Sequence, residues 1–203
     1  LDWISNEMLI EGWVGSLYQN QEKLYGKLNR INNIGQSCLE YDNTIDFVIF
    51  PDNSSGAFSD VIDVSSNLEG WHDLILFISD EGGDELEILL CTPVKMNNMV
   101  PIGSIISLSN IVESDGVGLI TSDFVEPYWS DFDLYYIWSL SDSDGEIVVT
   151  EGFKFDSLTI DLSQSGIYQL NLLVIDAGGQ MASVHQTFSI ENIPPIANLT
   201  IDS

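Results

Sequence analysis

Five consecutive residues, Asp142-Ser143-Asp144-Gly145-Glu146, place three acids at alternate positions around a glycine. That spacing gathers carboxylate oxygens on one side of a loop, which suits Ca²⁺, a hard cation that prefers oxygen ligands. Asp131 and Asp133 would add oxygens from the preceding segment. The rest of the twelve-residue EF-hand pattern is missing. A polar hairpin turn, with Asp and Gly present for backbone reasons, accounts for the same residues. Asp80-Glu81 and Asp176 head two further turns and read as turn residues.

Other chemistry is sparse. His72 falls on an inward stripe and reads as a hydrogen-bonded core or rim residue, while His185 reads as a surface residue. No Gly-x-Ser-x-Gly elbow, His-Glu-x-x-His, P-loop or GxGxxG occurs. Carboxylate pairs of the glycosidase kind arise by chance in any acid-rich chain and do not argue for an enzyme. Cys38 and Cys91 permit one disulfide within the first half, or stand as two buried thiols. Without a CxxC or a Cys/His cluster, zinc is not expected. Asn53-Ser54-Ser55 and Asn198-Leu199-Thr200 are glycosylation triplets. Trp3, Trp13 and Trp129 lie outside any obvious inward stripe. Beside acids and amides they offer a sugar platform, or else edge packing and a module–module contact.

The charge narrows the partners. Thirty-two Asp and Glu against five Lys and Arg give a formal net charge of −27. Nucleic acid and anionic membrane surfaces would be repelled. With 44% hydrophobic residues the chain can nonetheless build real cores rather than stay disordered. No run of 18 apolar residues exists to span a bilayer. The opening at Leu1 without a Met and the stop at Ser203 in mid-pattern read as an internal piece of a longer protein.

The elements that must position these residues are strands. Alternating or apolar runs recur between Asp, Ser, Asn and Gly clusters: Thr44–Phe50, Val61–Val64, Trp71–Ser79, Leu86–Cys91, Ile102–Leu108, Leu134–Leu140, Leu158–Leu162, Ile167–Ile175 and Ser183–Ile190. Gln19 to Ile31 reads as strand or irregular. The sequence also repeats itself. Gly70 through Gly83 and Gly166 through Gly179 share glycine, a nine-residue strand, Asp, any residue, Gly, Gly at an offset of 96 residues. Ile62-Asp63-Val64-Ser65 answers Ile160-Asp161-Leu162-Ser163, and Pro101-Ile102-Gly103-Ser104-Ile105 answers Pro195-Ile196-Ala197-Asn198-Leu199. The expected fold is all-β, with tandem immunoglobulin-like antiparallel sandwiches over residues 1–100 and 101–193 and a further module begun at 194–203.

Tyr136-Ile137-Trp138, the Asp144-Gly145 turn, and Gly166-Ile167-Tyr168-Gln169-Leu170-Asn171-Leu172-Leu173-Val174-Ile175-Asp176-Ala177-Gly178-Gly179 together resemble the polycystic-kidney-disease (PKD) domain. Asn192-Ile193-Pro194-Pro195-Ile196-Ala197 resembles the junction into the next copy. The first half departs from this pattern. It offers Phe47-Val48-Ile49-Phe50 in place of Tyr-x-Trp, and His72 in place of Tyr168. By strand alternation, Tyr168, Leu170, Leu172 and Val174 form one stripe and Tyr136, Trp138 and Leu140 another, and the two are expected to face each other in the core.

One strand breaks the apolar-in, polar-out rule. Trp71, Ile75 and Phe77 point opposite to His72, Leu74, Leu76 and Ile78, and Leu173 and Ile175 do the same in the second copy. Ile75, Phe77, Leu173 and Ile175 therefore form a candidate interaction surface. It should be covered by the N-terminal segment around Leu9–Leu17, the neighbouring module or another copy. These readings converge on a non-catalytic extracellular structural or adhesive array of a surface, sheath or filament protein. The alternative is an accessory docking or spacer region of a secreted hydrolase. Calcium is the only cofactor in view. The partners are neighbouring modules, other copies or extracellular polymer, with neither nucleic acid nor membrane insertion.

Overall fold

The computed structural model describes residues 3–14, 23–32, 44–79, 86–106, 112–113, 116–130 and 132–194. Among them all regular structure is β-strand: β1 (Trp3–Ile4), β2 (Glu7–Trp13), β3 (Leu24–Arg30), β4 (Phe47–Ile49), β5 (Ala57–Asp63), β6 (Gly70–Ser79), β7 (Leu86–Met96), β8 (Ile105–Ile106), β9 (Val117–Ser122), β10 (Tyr135–Asp142), β11 (Gly145–Phe153), β12 (Ser157–Asp161), β13 (Gly166–Ile175) and β14 (Met181–Ile190). The chain divides into two compact units, Leu1–Met99 with Gly178–Gln180, and Val100–Ala177 with Met181–Ser203. Residues 195–203, read from sequence as the start of a further module, lie outside the described residues.

The second unit is a sandwich of three strands against four. One sheet runs β12-β9-β8 and the other β11-β10-β13-β14. Ile105, Ile120, Leu158 and Ile160 from the first sheet share one core with Tyr136, Trp138, Leu140, Leu170, Leu172 and Val174 from the second. The two aromatic and aliphatic stripes therefore do not face each other. Tyr136 lies opposite Val174, Trp138 opposite Leu172 and Leu140 opposite Leu170, as cross-strand neighbours on one sheet. Alternation fixes the face a residue occupies but not what packs over it, and here the smaller sheet does. Fully burying each such side chain contributes about 1.5–3 kcal/mol.

The first unit repeats this order. Its larger sheet runs β1-β7-β6-β3-β4 and its smaller one β2-β5. Met8 and Ile10 from β2 join Leu24, Leu28, Ile49, Leu74, Leu76, Ile78 and Met96 in a single core. In each unit the penultimate strand, β6 or β13, lies between the last strand and the central partner, β3 or β10. A short parallel pairing to the last strand also recurs, Trp3–Ile4 with Lys95–Met96 in the first unit and Val112 with Glu191 in the second. A seven-strand, two-sheet antiparallel layout of this kind is immunoglobulin-like.

Superposing the two strand orders corrects one sequence assignment. The counterpart of Tyr136-Ile137-Trp138 is not Phe47–Phe50 but Leu24-Tyr25-Gly26 on β3. Gly26 pairs with Leu76 just as Trp138 pairs with Leu172, the residue 96 positions after Leu76. Phe47, on the neighbouring edge strand and opposite Gly26, supplies the missing bulk. Any Cβ on Gly26 would stand 1.9 Å from a carbon of its ring.

Candidate functional site

Of the acids at the Asp142–Glu146 turn, Asp142 is occupied by the backbone beside it. Asp142 Oδ1 accepts the N–H groups of Asp144 at 2.8 Å and Gly145 at 3.1 Å, closing the β10–β11 turn. Gly145 has a φ of 137°, which favours glycine. Asp144 is exposed, and the Glu146 side chain and Asp131 lie outside the described residues. Asp133 instead pairs with Lys154 at 2.9 Å, on the surface. Among the described residues no three His, Cys, Asp or Glu side chains gather as a metal would require.

The same use of aspartate recurs. Asp63 and Asp161, matched by the repeat, each accept the N–H of the serine two residues on at 2.9 Å. Hydrogen bonds from Ser65 and Ser163 hold both carboxyls below their ordinary range. Asp52 gathers the N–H and hydroxyl of both Ser54 and Ser55, which lowers it to about 2. Asn53 is exposed on this turn, so its glycosylation triplet is accessible, while Asn198 lies outside the described residues.

Each penultimate strand carries a corner lock. The Tyr168 hydroxyl donates to the Gln164 carbonyl at 2.8 Å, four residues upstream, as in the tyrosine corner of immunoglobulin-like sandwiches. The Trp138 ring is fully buried and its Nε1–H donates to the Phe155 carbonyl at 2.7 Å. In the first unit His72 replaces the tyrosine. It is buried, its Nδ1 lies 3.2 Å from the Gly70 carbonyl, and burial pushes its pKa down. His185 is exposed on β14.

The four proposed surface residues divide. Ile75 and Phe77 are 0% exposed within the single chain, so they offer nothing to another molecule. The cover is not β2, whose Met8 and Ile10 lie in the core on the other side of β6. Lys27, opposite Ile75, donates from Nζ to the Thr44 hydroxyl. Cys91, also opposite Ile75, is disulfide-bonded, while Cys38 lies outside the described residues. Leu173 and Ile175 are half-buried.

The tryptophans divide as well. Trp129 is buried with Tyr128 and Phe132 packed edge-on against it, so it is no platform. Trp3 and Trp71 flank the Lys95 ammonium, 4.5 and 5.4 Å from their ring centroids. Only Trp13 keeps its ring largely in water, pinned by an Nε1–H bond of 2.6 Å to the Ser55 carbonyl. Sequence reasoning missed a cleft of about 360 Å³ in the second unit, lined by Glu126, Asp133, Asp156, Lys154, Phe132 and Tyr136 among others. It is assembled from the β9–β10 and β11–β12 connections with Tyr136 of β10, so no local motif marks it. Tyr128 and Phe132 remain partly exposed nearby.

No family model matches the chain, and no characterised protein sequence does. Among solved structures it is similar to the fibronectin(III)-like modules of Clostridium thermocellum CbhA, at 11% identity and a TM-score of 0.45 over 98% of this chain and 95% of that one. It is also similar to the chicken CNTN1 FN1–FN3 domains, at 10% identity and a TM-score of 0.39 over 94% of this chain and 62% of that one. A tetra-tandem repeat in the extending region of a large adhesion protein matches at 16% identity and a TM-score of 0.32, over 84% of this chain and 42% of that one. At such scores the fold rests on the chain's own strand order and cores: it is an all-β protein of immunoglobulin-like sandwich architecture.

Proposed function

We propose that the chain is a non-catalytic structural or adhesive segment of an extracellular surface, sheath or filament protein, built from PKD-like sandwich modules. The observation that carries this reading is how the reactive residue types are used. Asp52, Asp63, Asp142 and Asp161 accept hydrogen bonds from their own turns, and Tyr168 and Trp138 lock strand corners to the backbone. His72 is buried with its Nδ1 beside the Gly70 carbonyl, and His185 is exposed on β14. Chemistry-bearing side chains spent on architecture are what a spacer or scaffold needs. An antibody against the chain, applied to intact source cells before and after protease shaving, tests the location. Surface label lost on shaving supports the reading, and label seen only after permeabilisation overturns it.

The accessory-region reading is favoured by one feature, the acidic cleft of the second unit with Tyr128 and Phe132 partly exposed beside it. Aromatic faces next to carboxylates suit sugar rings and their hydroxyls. Co-sedimentation of the purified chain with insoluble polysaccharides, lost on Phe132→Ala, would move this reading ahead.

A further inference from the structure

The large sheet of the second unit has one face outside the core, and register fixes what lies on it. Across its four strands Phe153, Tyr135, Ile175 and Met181 stand in one row. Glu151, Ile137, Leu173 and Ser183 form the next, and Val149, Ser139, Asn171 and His185 the one after. Their neighbours along the central strands, among them Tyr136, Trp138, Leu172 and Val174, fill the core, so alternation turns these rows outward. Phe153 is 66% exposed, Met181 58% and Val149 56%, while Tyr135, Ile137, Leu173 and Ile175 are half-buried. Phe153 and Tyr135 pack edge-on, with ring centroids 5.0 Å apart. The first unit treats the same place differently. There Tyr25 pairs with Phe77 as Ile137 pairs with Leu173, yet Phe77 is 0% exposed within the chain. One apolar outer face is closed and its counterpart is open.

We infer that this outer face of β11-β10-β13-β14 is an interface between two copies of the chain, packed sheet on sheet about a twofold axis. Charge is what selects a second copy. The chain carries 32 acids against five bases, yet these three rows hold one acid, Glu151, whose carboxylate accepts a hydrogen bond from the Tyr135 hydroxyl. A basic partner finds little here to pair with. A second copy, repelled elsewhere by its formal −27, meets the least repulsion on this face and gains apolar burial. Three rows over four strands about 4.8 Å apart cover roughly 400 Å² in plan. That is the scale of a weak, concentration-dependent contact rather than an obligate one. A twofold contact uses the same patch on both copies and closes at a dimer. The inference rests on the structural-array reading and names a partner for it.

Sedimentation velocity of the full chain at rising concentration, in about 0.5 M salt to screen the like charge, tests it. A monomer–dimer equilibrium should appear and weaken as the salt is lowered. Phe153→Asp and Met181→Asp each put a charge on the exposed part of the face. Each should weaken association about tenfold or more while leaving thermal unfolding close to that of the unaltered chain. Val117→Asp adds the same charge at an equally exposed position on the other sheet, and should leave association unchanged. Hydroxyl-radical footprinting of the unaltered chain gives a second measurement that needs no variant. Phe153 and Met181 should become protected as concentration rises, and Val117 should not. A chain that stays monomeric to about millimolar concentration overturns the inference and leaves the face to an occupant of other chemistry. A dimer that tolerates both charges and leaves Met181 open to oxidation overturns it too, as does growth beyond the dimer. None of these results touches the surface-label test, so failure here and failure of the array reading remain distinguishable.

Discussion

Gly26 and Phe47 offer a direct test of how the first unit fills its core without the tryptophan of the second. In a strand, Gly→Ala is ordinarily favourable by roughly 0.5–1 kcal/mol, because glycine loses more freedom on folding. Here the new methyl carbon would stand 1.9 and 2.1 Å from two carbons of the Phe47 ring. The ring must leave its rotamer or push β4 away, and overpacking of this kind costs about 1–3 kcal/mol. Gly26→Ala should therefore destabilise the first unit by about 2 kcal/mol, a fall in Tm of roughly 8–16 °C for a unit of this size. Phe47→Ala alone should cost about 3 kcal/mol through the space it leaves. In the Phe47→Ala background the obstacle is gone, so Gly26→Ala should become neutral or slightly stabilising. The two substitutions would then couple by about 2 kcal/mol or more. Calorimetry of the four chains measures this on the transition belonging to the first unit. If Gly26→Ala costs the same with and without Phe47, the ring is not what fills the place of Trp138, and the matching of β3 to β10 loses its physical basis.

Four further outcomes are expected. Tyr168→Phe removes the bond to the Gln164 carbonyl and should cost the second unit about 1 kcal/mol in chemical denaturation; no change would mean the corner is held by ring packing alone. Peptide mapping without reductant should recover Cys38 joined to Cys91, and Cys91→Ser should lower the first unit's stability by up to about 4 kcal/mol, the entropy of a closed loop of about 50 residues. Asp52 should titrate at about 2 by carboxyl NMR, and Asp63 and Asp161 below ordinary aspartates. Because these folded-state values are depressed, their stabilisation is present above the unfolded aspartate range and is lost as pH falls through the folded midpoints. Finally, with Asp142 serving its own turn, thermal midpoints in millimolar Ca²⁺ and in chelator should coincide. A rise with Ca²⁺ that Asp144→Asn and Glu146→Gln remove would restore the cation site.

What was legible in the sequence was whatever depends on local alternation. β6 and β13 stand out because glycine bounds them and an apolar face runs their whole length. The Asp-x-Ser pairs that end β5 and β12 were visible as a repeat before their hydrogen bonds were known. β3 was blurred because its central core position is glycine, and the residue that compensates, Phe47, is 21 positions away on another strand. β2 and β9 are short edge-sheet strands in which Gly12 and Gly118 interrupt the pattern. Alternation makes the outer face of β6 apolar, but nothing local says that Ile75 and Phe77 are buried within the chain itself. The acidic cleft arises where two connections meet, which alternation alone does not encode.

The excess of acid bears on how the chain can meet a neighbour. Thirty-two acids against five bases leave few cations to neutralise anything. Several of these are already engaged: Lys27 meets Thr44, Lys95 lies between Trp3 and Trp71, and Lys154 holds Asp133. Any contact between two copies, each carrying a formal −27, therefore begins against repulsion. Ion pairs between copies do little to offset it, because the bases are too few. Screening shortens the reach of that repulsion to about 10 Å at 0.1 M salt. A composition of this kind keeps copies apart in dilute surroundings and lets short-range contacts act in salty ones.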